Sequence, residues 1–148
     1  MPTSVDLLRP RAEELLALFH AAGWGGDSCA TLEASIAAYP CTVCARDNEG
    51  QLVGYLSAFS DEVMSTLLGE LVVHPAWRRQ GIASSLLAAL EARYPRAPIY
   101  VKALGDSKHF YKTAGFKVPS AEFTVMFKRP DDPECSRRIK QGPHPGEA

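Results

Sequence analysis

No charge of one sign predominates in this chain of 148 residues: sixteen Lys and Arg stand against seventeen Asp and Glu, a formal net charge of -1. A general nucleic-acid binder carries a basic excess, so any affinity for phosphate here has to be local, and no nucleic-acid partner is expected. Apolar runs long enough to cross a bilayer are missing, and the start MPTSVDLLRPRAEE is too polar for a secretory signal. No membrane contact and a cytoplasmic location are the expectations. Cysteine is sparse, at Cys29, Cys41, Cys44 and Cys135. The CTVC stretch has metal or redox spacing but lacks the second pair that a zinc site wants, so no metal is expected. It also reads as a strand, on which residues three apart point to opposite faces, leaving Cys41 and Cys44 as structural thiols of a reducing compartment. The two commonest phosphate loops, Gly-x-x-x-x-Gly-Lys-Ser/Thr and Gly-x-Gly-x-x-Gly, are absent, as are internal repeats.

What the chain does have is 46% hydrophobic content, enough for one domain with a real core. SVDLLRP reads as a first strand. Leu15, Leu18, Phe19 and Ala22 then fall at helical spacing, stopped by Gly23, and CATLEASIAAYP repeats the pattern with Thr31 as a possible cap. CTVCARD and LVGYLSAF, joined by NEGQ, make an antiparallel hairpin. Val63 to Val73 reads as a further strand with an irregularity near Gly69. Ile82, Leu86, Leu87, Leu90 and Tyr94 mark one face of a helix. PIYVKA is a strand, SKHFYKTA a helix capped by Asp106 and ended by Gly115, and EFTVMFKR a last strand. The order implies an α+β fold, a mixed and mostly antiparallel sheet with helices on both faces, spanning residues 1–129. From 130 to 148 four prolines and scattered charges without apolar period indicate a flexible tail.

RRQGIA, Arg78 to Ala83, sits between the apolar run LVVHP and the third helix. A strand leading into a helix leaves several backbone N–H groups without partners, at the positive end of the helix dipole, where anions bind well. Gly81 and the small Ala83 let the backbone from Arg79 to Ser84 approach a phosphate closely, with charge added by Arg78 and Arg79. The alternative at this level is a solvated, positively charged helix start.

Arg-x-x-Gly-x-Ala, preceded by LVVHP and followed by SSLLAALEARY, resembles the coenzyme-A-binding motif of the GCN5-related N-acetyltransferases, the GNAT superfamily. HFYKTAGFK at 109–117 is similar to that family's Phe-Tyr helix, in the expected order about thirty residues on. The resemblance implies a small single-domain member with the GNAT acyl-CoA N-acyltransferase fold. It implies an enzyme, an acyltransferase moving acetyl from acetyl-CoA to a small primary amine, with no metal. Implied coenzyme contacts are the backbone of Leu71, Val72 and Val73 on a bulged strand, then Arg78, Arg79, Gln80, Gly81, Ile82, Ala83 and Ser84 around the pyrophosphate. Tyr111 matches the family's general acid, protonating the leaving thiolate. Glu70 is the expected base, with His74, Glu33 or a water chain as alternatives. The family's asparagine before the last helix is replaced here by LGDS, so Asp106 has a capping role only. Exposed strand edges permit a homodimer. Readings from other classes are a coenzyme-binding regulatory or adaptor domain without turnover, a protein or peptide N-acetyltransferase, and a nucleic-acid binder using Arg78, Arg79 and SRRIK.

Overall fold

Branched and aromatic residues favour extended chain, and their distribution puts five strands into one sheet. The computed structural model describes residues 3–128, 130 and 131; the tail expected over 130–148 otherwise lies outside the described residues. In chain order come β1 (Ser4–Asp6), α1 (Ala12–Ala21), α2 (Cys29–Ala38), β2 (Cys41–Arg46), β3 (Leu52–Ser60), β4 (Thr66–Val73), a 3-10 turn (Pro75–Trp77), α3 (Ile82–Arg93), β5 (Ile99–Tyr100) and α4 (Ser107–Thr113). The strands lie side by side in sequence order, antiparallel through β4, with β5 parallel to β4. The mixed sheet with helices on both faces is therefore as expected.

Period-2 alternation divides the core into two layers. Val43, Ala45, Val53, Leu56, Leu68, Leu71 and Val73 face α3, meeting Ile82, Leu86, Leu87 and Leu90. Cys44, Tyr55 and Val72 face the other way, against Leu15, Leu18 and Phe19 of α1 and Leu32 and Ile36 of α2. Full burial of a side chain such as Leu86 contributes about 1.5–3 kcal/mol. Cys41 joins the first layer and Cys44 the second, so the sheet itself keeps the two thiols apart.

Two contacts fix the helices that matter for the site. A Cβ on Gly54 would lie 2.8 Å from Ile82 and 3.1 Å from Leu86, so glycine in β3 lets the first turn of α3 press directly onto the sheet. On the opposite face Arg46 of β2 grips Glu14 of α1 with two nitrogens, at 2.8 and 3.0 Å. That paired geometry holds the Glu14 carboxyl below its usual range.

Several elements depart from the sequence expectations. The cap of α2 is Ser28, whose Oγ accepts from Thr31 N–H at 3.2 Å, because a cap serves the residue three positions on. Asp106 sits at the start of α4 without a side-chain cap bond. Residues 61–65 turn instead of extending, since the Asp61 carboxylate accepts from the N–H groups of Val63, Met64 and Ser65. The strand foreseen in PIYVKA shrinks to Ile99–Tyr100, and no strand forms over 122–128. Both follow from one cause: β4 leaves β5 after a two-residue ladder, and so short a β5 gives a further strand little to pair with.

Candidate active site

The divergence begins at a bulge. Leu56 of β3 pairs with Leu71 while Ala58 pairs with Leu68, so β4 carries one extra residue, at Gly69 and Glu70, opposite Ser57. Ser57 repairs the broken ladder by accepting from Glu70 N–H at 3.0 Å. Its hydroxyl also donates to the Glu70 carboxylate, whose second oxygen accepts from the Tyr39 hydroxyl at 3.3 Å. Gly69 makes this possible, because a Cβ there would collide with the Tyr39 hydroxyl and lie 2.9 Å from Ser57 Oγ. The extra residue turns Glu70 toward the layer of α1 and α2.

Burial pushes the Glu70 carboxyl above its usual range, and the charge of Asp27 adds to this; the Ser57 and Tyr39 hydroxyls and Lys102 oppose it. Tyr39 itself is pushed up to about 12 by burial and by the neighbouring Glu70 charge. Glu70 is therefore a partly desolvated carboxylate with fixed orientation.

Beyond the bulge, one edge of β4 faces away from β3. His74 N–H bonds Val53 O at 2.8 Å, and alternation along an antiparallel ladder then gives Val72 to β3 as well. The N–H and C=O groups of Leu71 and Val73 point the other way, toward the space between β4 and β5, where β5 pairs only with Thr66 and Leu67. Of the three β4 residues expected to offer backbone groups, Leu71 and Val73 turn theirs to this edge, whereas those of Val72 belong to the sheet. Arg78 folds back along the same edge. Its Nε donates to Val73 O at 3.2 Å, while its Nη2 is buried without a partner. A buried unpaired donor is costly, and an oxygen brought to this edge would satisfy it.

The chain then reaches α3 through Arg79 and Gly81, both in the left-handed region at φ 62° and 80°. Gly81 stands at the N-cap, no side chain caps the helix, and nothing lies within 4 Å of where its Cβ would be. The first-turn N–H groups of Ile82, Ala83 and Ser84 are thus left for an outside acceptor at the positive end of the dipole. Arg79, Gln80 and Ser84 are exposed around them. These residues fit a bound pyrophosphate.

Tyr111 is buried in the layer of α3, its ring 5.1 Å from that of Phe110 and 5.3 Å from that of Phe116. Desolvation pushes its phenol up to about 12. It lies on the side of the sheet opposite to Glu70, so the opening between β4 and β5 passes between them. The remaining base candidates are otherwise engaged or outside this network. His74 caps the 3-10 turn, its Nδ1 accepting from Ala76 N–H at 3.1 Å, and Glu33 is exposed on α2. Ser57 and Tyr39 were not foreseen; Gly69 inside a strand and the family resemblance pointed to a bulge, but not to the side chains it recruits.

Residues 38–118, which hold the bulge, the open edge, the α3 turn and Tyr111, match the family model described as an acetyltransferase (GNAT) domain. The chain belongs to the GNAT family. Its fold is shared by a GNAT family acetyltransferase of Streptococcus pneumoniae, 23% identical with a TM-score of 0.74, over 87% of this chain and 100% of that one. An aminoglycoside acetyltransferase from an uncultured soil metagenomic sample is 21% identical with a TM-score of 0.63, over 86% and 100%. A GNAT N-acetyltransferase of Escherichia coli, solved in complex with CoA, is 22% identical with a TM-score of 0.59, over 78% and 68%. Among curated proteins no sequence matches. Among the described residues no helix is long and apolar enough to cross a membrane.

Proposed function

We propose that the protein is an acetyl-CoA-dependent N-acetyltransferase that moves acetyl to a small primary amine by direct attack on the thioester. One observation carries this reading: the open edge of β4 runs from the half-buried Glu70 to the uncapped start of α3. Leu71 and Val73 offer ladder groups to a pantetheine arm, and Ile82, Ala83 and Ser84 offer N–H groups to the pyrophosphate, with Arg78, Arg79 and Gln80 around it. The bound CoA of the Escherichia coli neighbour supports this assignment for the shared fold.

Within that frame Glu70 accepts a proton from the ammonium, giving a neutral nucleophile. Attack of the amine nitrogen forms the C–N bond as the C–S bond breaks, and the electron pair leaves on sulfur. Val73 N–H polarises the carbonyl during attack, and Tyr111 returns a proton to the departing sulfur. Holding both reactants along one edge lowers the barrier further. A panel of amines assayed by thiol release from acetyl-CoA, with wild type and Glu70→Gln, tests the reading. Turnover that the substitution abolishes supports it; coenzyme binding with no turnover of any amine leaves a coenzyme-binding domain instead.

A further inference from the structure

On the face of the sheet that carries Glu70, α1 and α2 do not cover everything. Phe59 of β3, Leu67 of β4 and Tyr100 of β5 are directly paired neighbours across three strands, Phe59 with Leu67 and Leu67 with Tyr100. They remain 45, 44 and 53% exposed. Alternation puts them on this face: Tyr55 and Ser57 precede Phe59 at two-residue steps, and the flanking Leu68 and Ile99 pack into the opposite layer. Three large apolar side chains in register on a sheet face form a continuous surface that water covers at a cost.

This surface runs into the base. The Tyr39 ring packs on Phe59 at 4.4 Å between centroids, and the same residue's hydroxyl donates to Glu70. Asp27 adds a second negative charge felt at Glu70, with Lys102 as the opposing cation. A molecule spanning both regions has a cationic end and an apolar body. A polyamine would lay a second cation, and a sugar its hydroxyls, on this apolar surface, and the carboxylate of a free amino acid would meet Glu70 and Asp27 with like charge.

We propose that the acceptor is a primary amine joined by a short linker to an aryl or branched-alkyl body, with the amino group at Glu70 and the body lying on Phe59, Leu67 and Tyr100. The inference rests on the acetyltransferase reading and names its substrate class. Residues two apart on a strand are separated by roughly 7 Å, so the step from Ser57 to Phe59 sets the linker at about two or three carbons. Tyr39 marks the junction, touching the apolar body with its ring while steadying the base with its hydroxyl.

The test compares 2-phenylethylamine, isopentylamine, ethanolamine and putrescine by kcat/KM, with wild type and Leu67→Ser, a substitution at a half-exposed position. The expected wild-type result is a preference for the first two amines over ethanolamine of about tenfold or more, which Leu67→Ser reduces about tenfold. Calorimetric titration of the CoA-loaded protein with 2-phenylethylamine reads binding apart from chemistry. Binding that Leu67→Ser weakens, without turnover, keeps the platform and removes the enzymatic reading. A preference for ethanolamine or putrescine, or a ratio that Leu67→Ser does not change, overturns the proposal. Overturning it equally is a loss of dimer on size exclusion with Leu67→Ser while the ratio stays fixed, since the face then holds a second copy of the chain.

Discussion

Ser57 holds Glu70 at both ends: its hydroxyl oxygen accepts from the Glu70 backbone N–H, and its proton goes to the Glu70 carboxylate. One side chain thus closes the bulge in the main chain and aims the carboxylate that the bulge turned inward. The group that positions the proposed base also favours its ionised form, against the burial that pushes its carboxyl up.

That coupling gives a signed pH prediction. The groups acting on Glu70 are Ser57, Tyr39, Asp27 and Lys102, and the Glu70 charge in turn bears on the buried Tyr55 phenol. Activity that needs ionised Glu70 rises with pH through its raised pKa. The Ser57 hydrogen bond favours the ionised form, so Ser57→Ala moves the acid limb of kcat/KM to higher pH. Glu70→Gln removes that limb and lowers kcat about a hundredfold or more. A pH–rate profile that Ser57→Ala leaves in place would sink the assignment of Glu70.

Tyr111→Phe keeps the ring that packs between Phe110 and Phe116 and removes only the hydroxyl. A fall in kcat of about a hundredfold, with CoA affinity and Tm nearly unchanged, is the expected outcome. Because burial pushes this phenol up to about 12, it stays protonated through the whole assay range. The wild type therefore shows no alkaline limb from Tyr111 below about pH 10, readable in the same profiles.

At the turn into α3, backbone outweighs charge. Gly81 adopts φ 80°, a conformation that costs an ordinary side chain about 1–2 kcal/mol, and a branched side chain would also stand where the phosphate approaches. Gly81→Val should weaken CoA binding about tenfold or more by calorimetry, whereas Arg79→Ala, an exposed cation, costs a few-fold at most. Arg79→Ala as the more damaging change would place the affinity in the side chains after all.

Gly69→Ala drives a methyl group against the Tyr39 hydroxyl and Ser57, an overpacking worth about 1–3 kcal/mol of stability. In a Tyr39→Phe background the obstructing hydroxyl is gone, so the cost of Gly69→Ala should fall by about half or more. A double-mutant cycle by chemical denaturation measures it. Additive effects would mean that the bulge does not depend on Tyr39.

The parts legible in the sequence were those written in short periods. The stripe Ile82, Leu86, Leu87, Leu90 gave α3 and its face, the NEGQ turn gave the β2–β3 hairpin, and Gly81 gave the uncapped turn into α3. In the residues themselves the bulge was legible only as a glycine out of place, although the family resemblance implied a bulged strand. Its register depends on Ser57, twelve residues before Gly69, and on Tyr39, thirty before it, a distance no local pattern spans. The family resemblance, which assigned Leu71, Val72 and Val73 jointly to the coenzyme, could not say which of them the ladder with β3 would claim. The strand expected over 122–129 failed for a related reason: local pattern recorded its preference, but a strand also needs a neighbour, and β5 is two residues long.

The short ladder between β4 and β5 has another consequence. Unpaired N–H and C=O groups along a strand edge are the means by which sheets of separate molecules join and precipitate. Leu71 presents both such groups and Val73 its N–H, and no proline or inward lysine blunts that length of β4. A ligand seated there would act as a solubility device, occupying the edge that another chain would otherwise take. Supply of the co-substrate during expression would then govern how much soluble protein accumulates as well as how fast it works.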